Sequence, residues 1–547
     1  MILFSQTSSF GENFNVTVAN NKSSSDDFDK HCQVVIIGAG FSGLLCASYL
    51  KEAGIHDIQI LEMGSSVGGV WSKKGVGAYP GAACDVPSYI YLPFLDRTGF
   101  IPSKKYVSQP EIAEYAEILT DHIGVRENIS FDRKVTELKY LGDQQNKWRV
   151  RTVNTKTGQA EKTVSCTHIV SANGPLSSPR MPELGGMELF KGESFHTAQW
   201  DGTANLKGKK VAIIGTGASA AQVITSIADD VESLHVFQRT PTWVLRRDDE
   251  DTSPELKRQF EAGGYGEYLR DLAAKKFEFP PGEQFLDWDA IQDKEQNEAV
   301  CSELTQLIQS DVDDPEIAKL LTPDYPFWCK RVLFIDDYYT SFNKKNVTLV
   351  HDDGGVVSVD ETGLTIAQGK HFQCDVIIYA TGFDSNFIPF PIYGRNGISL
   401  AEKFGANETN RFQMMRPQSL WGIHVDEMPN FYMMIGPQSL NPLTNVTLLC
   451  EEQAKYIAEL LSKMDQAGHS RVEPLKDAVT HWSDLCLASA NDKVWLRCNN
   501  WYLKTTKTDA ALETERSSGM WMETYEDYLD HMLHGKAGTQ DELLEFT

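Results

Sequence analysis

The chain has 547 residues, and this length together with an apolar content of 41% predicts two or three domains, each with its own core. A net charge of −25 and a pI near 5.0 argue against a general role in binding nucleic acid or anionic membranes. The ten cysteines form no CxxC pair and no metal-ligand spacing, so we expect reduced cysteines in an intracellular protein without a metal site.

The first stretch of the chain predicts no folded element. Residues 1–30 are rich in Ser, Asn and Asp, which is typical of a mobile leader rather than of a signal peptide. No window of the sequence is apolar enough for a membrane span. We therefore expect ordered structure to begin near Cys32.

The first ordered segment has the pattern of a strand, a tight turn and a helix. Gly38 permits the turn, Gly40 lets the backbone approach a pyrophosphate, and Gly43 lets the helix pack closely on the strand. Glu62 follows the next strand, nineteen residues after Gly43, where its carboxylate can accept both ribose hydroxyls. A glycine-rich loop without a ligand is the alternative, and the carboxylate at this distance favours a dinucleotide site.

A second pattern of this kind occurs further along the chain. Gly215, Gly217 and Ala220 take the three glycine positions, of which the third tolerates alanine. Nineteen residues after Ala220 the chain has Arg239 and Thr240 in place of a carboxylate. Arginine can pair bidentately with a 2′-phosphate, so this site predicts NADPH rather than NADH. A solvated surface arginine is the alternative.

Two different dinucleotide sites in one chain favour electron transfer. The first site, with an acid at the ribose position, is the natural site for FAD. Disulfide reductases need a cysteine pair beside the flavin, and this sequence offers none, so oxygen chemistry remains. The predicted fold class is α/β, with two Rossmann-like dinucleotide-binding domains.

A segment between the two patterns carries a family fingerprint, F-x-G-x-x-x-H-x-x-x-W-[PD]. It is matched by Phe190, Gly192, His196, Trp200 and Asp201. In this respect the chain resembles the Baeyer–Villiger monooxygenases, a group of class B flavoprotein monooxygenases, and the resemblance runs from about residue 33 to about residue 501. We expect this interdomain motif to set how the NADP domain sits on the FAD domain.

The resemblance implies an enzyme that consumes NADPH and O₂ and converts ketones to esters or lactones through a C4a-peroxyflavin. Arg331 matches the active-site arginine of the family, a fixed cation beside the oxygen adduct. Asp85 matches the aspartate that orients this arginine and offsets its desolvation. A surface Lys-Arg pair and a turn-capping aspartate are the plainer interpretations. The family often has arginine where this chain has Ala83.

Other cofactor contacts carry over from the resemblance more loosely. Trp71 and Tyr91 resemble flavin-contacting aromatics, and Lys330 resembles a second ligand for the 2′-phosphate. Trp501 resembles a tryptophan that closes over the nicotinamide ribose, although each of these four residues could be ordinary packing. The remaining positions assigned to cofactor binding are Ser42, Gly69, Asp85, Thr216, Ser219 and Gln222.

The order of these patterns predicts the domain organisation. Residues 31–175 and 372–547 are expected to form a discontinuous FAD-binding domain, and residues 176–371 an NADP-binding domain. A helical insertion is predicted at about residues 250–328, where apolar residues recur at helical spacing. Residues 375–382 are predicted to include the strand that returns the chain to the flavin domain, and residues 450–466 an amphipathic helix.

Two other functions stay open at this point. A related flavin-containing monooxygenase that oxidises nitrogen or sulfur would share both nucleotide sites. A catalytically idle flavoprotein that senses NADPH and signals to a partner would share them too, although Asp85, Lys330 and Arg331 disfavour it. The expected partners are a small ketone and O₂, with no nucleic acid and no membrane, and the expected compartment is the cytoplasm.

Overall fold

The computed structural model describes most of the chain after the predicted leader. The described residues are 30–161, 163–200, 202, 204–274, 288–383, 388–405, 417–439, 443–498, 500, 503–504, 517–518, 520–534 and 540–547. The predicted leader, apart from its last residue, lies outside them, and so do Asp201 and Trp501.

The first structural unit is built on a mixed sheet of eight strands. Its central strand, Lys30–Ile37, pairs in parallel with Ile58–Leu61 on one side and with Val164–Ser171 on the other. Every residue of the following helix from Phe41 to Leu50 is buried, as expected for a helix that is enclosed on all sides. The other strands of this sheet are Ile129–Ser130, Arg133–Tyr140, Trp148–Asn154, Ile392–Tyr393 and Phe431–Met433.

The second unit is built on a sheet of five strands whose neighbours all run parallel. In spatial order the strands are Val347–His351, Ser233–Gln238, Lys210–Ile214, Val376–Tyr379 and Glu193–His196. Parallel sheets are covered on both faces, which explains the continuous apolar strands of this unit. Helix Ala218–Ile227 belongs to the core on one face. The three-stranded sheet Val356–Val359, Gly363–Ile366 and His371–Gln373 contributes to the core on the other.

The strand predicted to return the chain to the flavin domain lies in the second sheet instead. Val376–Tyr379 pairs with Lys210–Ile214 on one side and with Glu193–His196 on the other. The chain returns to the first sheet only at Ile392–Tyr393, which pairs with Arg133–Tyr140. The predicted boundary at residue 372 is therefore too early, because a buried apolar strand carries no local signal of the sheet that it joins.

The predicted helical insertion is shared between the two cores. Tyr265 is buried in the first core, whereas Leu304 and Leu321 are buried in the second. Trp495 and Met522, which fall in a range predicted to belong to the FAD domain, are also buried in the second core. The helices of the insertion are Pro254–Glu261, Tyr265–Ala274, Trp288–Gln292, Lys294–Asp311 and Pro315–Leu321.

The predicted helix at residues 450–466 is present as part of Val446–Ala467. The remaining described helices are Ser88–Tyr91, Leu95–Thr98, Gln109–Ile123, Leu400–Lys403, Lys476–Ser489, Tyr525–Leu533 and Gln540–Leu543. Short strand pairs join Val244–Leu245 to Leu333–Phe334, Val472–Pro474 to Leu544–Phe546, and Leu503–Lys504 to Ser517–Ser518. In the described part of the chain, no helix has both the length and the apolar character that a membrane crossing requires.

Two histidines lie in the interior of the first unit beside tyrosine hydroxyls. His168 Nδ1 is 3.2 Å from the hydroxyl of Tyr432, and His424 Nε2 is 2.8 Å from the hydroxyl of Tyr456. Burial lowers the pKa of each imidazole to about 3. Both rings are therefore neutral in the folded protein between pH 5 and about 7, where an unperturbed histidine takes up its proton.

We expect the melting temperature to fall as the pH is lowered from 6.5 toward 5. In that range the unfolded chain binds protons on these two imidazoles and the folded chain does not, so each contributes about 1.4 kcal/mol of lost stability per pH unit. His424→Phe should lose fewer degrees than the wild type between pH 7 and pH 5. A pH dependence of the melting temperature in His424→Phe identical to that of the wild type would contradict the prediction.

Candidate functional site

The first glycine-rich turn is shaped by contacts that leave no room for side chains. Gly38 has a φ of +104°, and a Cβ there would lie 2.5 Å from the carbonyl oxygen of Ala172. A Cβ on Gly43 would overlap the carbonyl oxygen of Gly38, and one on Gly69 would lie 3.0 Å from the Cα of Gly40. The helix that begins after Gly40 has no side-chain cap at its N-terminus. The turn thus has the shape and the uncapped amides that a pyrophosphate requires.

The carboxylate of Glu62 is held at the end of its strand by two backbone amides. Its Oε2 accepts the N–H of Ala39 at 2.7 Å, and its Oε1 accepts the N–H of Gly64 at 2.7 Å. A carboxylate has about four acceptor positions. The two bonds therefore orient Glu62 and leave it capacity for the ribose hydroxyls that the sequence predicted as its partners.

The aromatic pair predicted to contact the flavin is assembled in the structure. The indole N–H of Trp71 donates to the hydroxyl of Tyr91 at 2.6 Å, and the two rings meet edge to face with centroids 6.0 Å apart. Burial raises the pKa of Tyr91 well above its usual value, so its hydroxyl stays protonated. Ser42, another predicted contact, lies buried in the first turn of the helix that follows Gly40.

The second glycine-rich turn opens onto a cavity of about 590 Å³. Gly215 has a φ of +113°, and its Cβ would lie 2.5 Å from the carbonyl oxygen of Ala380. A Cβ on Gly217 would meet no atom within 4 Å, because this residue faces open space. The predicted residues that line the cavity are Gly215, Thr216, Gly217, Arg239 and Thr240.

Several residues that line the same cavity were missed by the sequence analysis. They include Arg180, Asp352 and Gly382, which come from three separate segments. None of them stands in a glycine-rich turn or at the ribose position that the fingerprint defines. Gly382 ends the segment 375–382, which was predicted as a strand and turn but not as part of the site, and only the folded sheet brings it together with Arg180 and Asp352.

The two cations predicted to bind a 2′-phosphate influence each other. Burial lowers the pKa of Lys330, the carboxylate of Asp324 opposes this shift, and the guanidinium of Arg239 adds to it. The ammonium of Lys330 lies 4.3 Å from the ring centroid of Tyr325. Lys330 does not line the cavity itself, but its interaction with Arg239 places the two positive charges in one neighbourhood.

Arg331 and Asp85 form an ion pair between the two units. The Nη2 of Arg331 is 2.7 Å from the Oδ2 of Asp85, and 32% and 29% of the two side chains are exposed. The guanidinium carbon of Arg331 also lies 5.9 Å from the ring centroid of Trp328. Trp328 has a φ of +63°, which is uncommon for a bulky residue and is found mostly at sharp turns. The two sequence candidates, 246 residues apart, are thus brought into direct contact.

A disulfide joins Cys329 to Cys498, with the two Cα atoms 6.1 Å apart. The expectation that all cysteines are reduced is therefore wrong for this pair, while the other eight cysteines are free thiols. Cys329 directly precedes Lys330 and Arg331, so the bond fixes the segment that carries both cations. The two cysteines are 169 residues apart, and single cysteines at that separation give no spacing signal.

The interdomain motif begins within the second unit. A Cβ on Gly192 would overlap the carbonyl oxygen of Asp375, so the chain there lies directly against the neighbouring strand. Phe190 packs against one core of this unit and Trp200 against the other. These two side chains thus stabilise the second unit itself, which differs from the interdomain position expected from the sequence.

The histidine of the motif is buried at the end of strand Glu193–His196. Its Nδ1 accepts the backbone N–H of Ala198 at 3.0 Å, which leaves the proton of the neutral ring on Nε2. Burial lowers the pKa of His196, and the backbone of Gly382 opposes this shift. The ring also packs edge to face on Phe383, with centroids 5.7 Å apart. His196 therefore connects its strand to the segment that follows Val376–Tyr379.

Three predicted cofactor residues on helix Ala218–Ile227 do not line the cavity, namely Ser219, Ala220 and Gln222. Ala220 is fully buried, as expected where the fingerprint requires close packing of helix and strand. The amide of Gln222 is bonded to Ala83 and Tyr79 of the first unit. Its side chain is thus engaged away from the predicted nucleotide contact.

Two dinucleotide-shaped turns and an arginine–aspartate pair that joins the two units point to the flavin-dependent oxygenases as the class of protein. The family described as FMO-like, flavin-binding monooxygenase-like, matches residues 31–257.

Individual relatives narrow the class. The chain is 32% identical over 497 residues to a Baeyer-Villiger monooxygenase of Streptomyces coelicolor, with 87% of each chain covered. It is 32% identical over 499 residues to the ketocytochalasin monooxygenase of Aspergillus clavatus, which covers 84% of this chain and 76% of that relative. The crystal structure of OTEMO in complex with FAD and NADP matches with a TM-score of 0.82 at 28% identity, covering 94% of this chain and 99% of that one. The chain belongs to the Baeyer–Villiger monooxygenase family.

These findings confirm the fold class, the enzyme class and the cofactors predicted from the sequence. The protein is an FAD- and NADPH-dependent flavoprotein monooxygenase of the Baeyer–Villiger type, with two Rossmann-like domains. Family membership favours this function over the nitrogen- or sulfur-oxidising relative and the idle sensor that the sequence had left open.

Replacing Arg239 with alanine should weaken NADPH binding and leave NADH binding unchanged. The guanidinium is expected to pair with the 2′-phosphate, which NADH lacks, and loss of such a charged hydrogen bond lowers affinity about 10- to 100-fold. KM values for both reductants, and NADP⁺ binding by calorimetry, measure the effect. Arg258→Ala is a matched control, since Arg258 is exposed and pairs only with Glu255 in the described part of the chain. Equal losses for NADPH and NADH would contradict the assignment.

The disulfide predicts the number of reactive thiols. Protein unfolded without reductant should react with a thiol reagent at eight sulfurs, and after reduction at all ten cysteines of the sequence. Cys498→Ser should give nine thiols under both conditions, because Cys329 is released when its partner is removed. Ten thiols in the unreduced wild type would show that Cys329 and Cys498 are not bonded in solution.

Proposed function

We propose that this enzyme uses NADPH and O₂ to insert one oxygen atom beside a ketone carbonyl, giving an ester or a lactone. Arg331 is the catalytic cation and Asp85 is the counter-charge that orients it. The observation that carries this assignment is the 2.7 Å ion pair between them, formed across the two units. An ion pair in this position supports a role in the reaction more than a role in surface solubility.

The residues present fit both cofactors. FAD would be held by the turn Gly38–Gly43, by Glu62 and by Trp71, and NADPH by the turn Gly215–Ala220 together with Arg239 and Lys330. The closely packed glycines of the first turn and the open space beside Gly217 are the observations that support this fit. When bound, the flavin accepts hydride from NADPH and activates O₂. We propose the first sheet and its helices as the FAD-binding domain and the second as the NADP-binding domain.

Arg331 can stabilise the negative charge that develops on the ketone oxygen during the reaction. Its guanidinium carries five N–H donors, and the Nη2 donates to Asp85. Fixed donors aimed at a developing charge are the largest single contribution in many enzymes. Asp85 holds the guanidinium plane in one orientation, so that it needs no rearrangement when the charge appears.

We also propose a cytoplasmic location, which the use of NADPH as reductant supports. The Cys329–Cys498 bond is the observation that opposes it, because disulfides persist mainly in oxidising compartments. Trapping thiols with an alkylating reagent at the moment of cell lysis distinguishes a bond present in the cell from one formed during purification.

Replacing Arg331 with alanine should strongly slow ester or lactone formation while the flavin is still reduced by NADPH. Removing a donor of this kind slows the step that it serves by about 10²- to 10³-fold. Anaerobic stopped-flow absorbance measures reduction, and gas chromatography of products from linear, cyclic and polycyclic ketones measures oxygen insertion. If Arg331→Ala formed product at the wild-type rate, the role proposed for Arg331 would be wrong.

Two further variants distinguish the effect of the charges from the effect of how the guanidinium of Arg331 is oriented. Arg331→Lys keeps the positive charge and loses the planar fork, so we expect partial activity. Asp85→Asn keeps the shape of the side chain and loses its charge, and should lower oxygen insertion while NADP⁺ binding persists. Equal product formation by Asp85→Asn and the wild type would exclude Asp85 from the role of counter-charge.

A further inference from the structure

Gln222 occupies a position that joins the NADP-side helix to the loop that carries Asp85. It lies on helix Ala218–Ile227, which begins directly at the second glycine-rich turn, and only 8% of it is exposed. Its Nε2 donates to the carbonyl oxygen of Ala83 at 2.8 Å, and its Oε1 accepts the hydroxyl proton of Tyr79 at 2.9 Å. Both polar ends of the amide are thus used by one loop of the first unit.

The backbones of this loop and of the helix also lie close together, at Gly81. Gly81, between the two bonded residues, has a φ of +77°. A Cβ there would lie 2.5 Å from the carbonyl oxygen of Gln222 and 2.9 Å from the Cβ of Ser226. The loop of residues 79–85 therefore lies directly on the helix. The amide of Gln222 fixes the position of this loop along the helix axis.

The other side of this loop is fixed to the first unit. The backbone N–H of Gln109 donates to the carbonyl oxygen of Ala82 at 2.8 Å. The side-chain Nε2 of Gln109 donates to the carbonyl oxygens of Trp71 and Ser72 at 2.9 and 2.8 Å. The loop is thus held from both units, and Asp85 follows Ala83 by only two residues.

We propose that Gln222 is a positioning residue, which transmits the position of the NADP-binding helix through Ala83 to the Asp85–Arg331 ion pair. This inference rests on the roles proposed above for Asp85 and Arg331. It replaces the predicted cofactor contact of Gln222 with a contact inside the protein. The expected consequence is that Gln222 affects how efficiently reduced enzyme delivers oxygen to the ketone, and not how tightly the nucleotide binds.

The test compares Gln222→Met, which keeps the length of the side chain and loses both bonds, with Tyr79→Phe, which loses only the hydroxyl. Thr225→Ala is the matched control, because among the described residues the hydroxyl of Thr225 bonds only to carbonyls of its own helix. For Gln222→Met we expect the ester formed per NADPH consumed to fall about fivefold, as for the loss of one to two hydrogen bonds, with peroxide making up the difference. The ester formed per NADPH should fall less in Tyr79→Phe, and in Thr225→Ala it should equal the wild-type value.

The readout that does not depend on turnover is NADP⁺ binding, measured by calorimetry on the FAD-loaded protein. We expect the Kd of Gln222→Met to stay within about threefold of the wild-type value, less than one charged hydrogen bond would cost. A tenfold weaker Kd with unchanged ester per NADPH would overturn the inference and restore Gln222 as a cofactor ligand. The inference would also be overturned if both the Kd and the ester formed per NADPH were unchanged in Gln222→Met and in Tyr79→Phe.

A double variant distinguishes failure of this inference from failure of the proposed function. If Gln222 acts through Asp85, then adding Gln222→Met to Asp85→Asn should cause no further loss of ester per NADPH. Full additivity of the two losses would overturn the positioning role and leave the role of Asp85 intact. An Asp85→Asn protein that forms as much ester per NADPH as the wild type would instead contradict the proposed function itself.

Discussion

The ion pair between Arg331 and Asp85 depends on how the two halves of the molecule are placed against each other. Its partners come from segments 246 residues apart, and the pair closes at 2.7 Å. Neither residue is held in place by a helix or strand of its own, since each lies in a loop. Every contact that fixes one loop against the other unit therefore contributes to the geometry of the site.

Two such contacts, and one covalent bond within the second unit, differ in their chemistry and act at different places. Gly81 permits the backbone of the Asp85 loop to touch the helix of the second unit. Gln222 bonds the same loop to that helix by its side chain. On the arginine side, Cys329 is joined covalently to Cys498. Steric fit, hydrogen bonding and a covalent bond thus all help to position the segments that carry this one pair of charges.

The features that sequence reasoning predicted well are those whose cause is local. Gly38 and Gly43 were assigned from a short pattern, and the clashes that require glycine at both positions arise mainly within that strand, turn and helix and with the neighbouring strand. Glu62 was placed correctly at the end of the next strand. Its two backbone partners, Ala39 and Gly64, were not predicted, although both are within the same short region. The resemblance to a known family added Asp85 and Arg331, which no spacing rule would have paired.

The features that were missed depend on contacts between distant segments. The strand Val376–Tyr379 was recognised as a buried strand, but its sheet is decided by pairing with Lys210–Ile214, far away in the chain. The helices of the insertion were predicted as one block and are divided between two cores, because an apolar face does not specify which core covers it. The amide of Gln222 could bind a nucleotide or a carbonyl equally well, and only the folded loop supplies the carbonyl of Ala83.

The Cys329–Cys498 bond also changes what a break in the backbone would do to the protein. The bond closes a ring of chain that contains the end of the second sheet, the return to the first sheet and the long helix Val446–Ala467. A protease that cuts once anywhere inside this ring produces two pieces that remain covalently connected. Arg331 would then stay attached to the C-terminal fragment after cleavage, and a nicked molecule would separate into two bands only under reducing conditions.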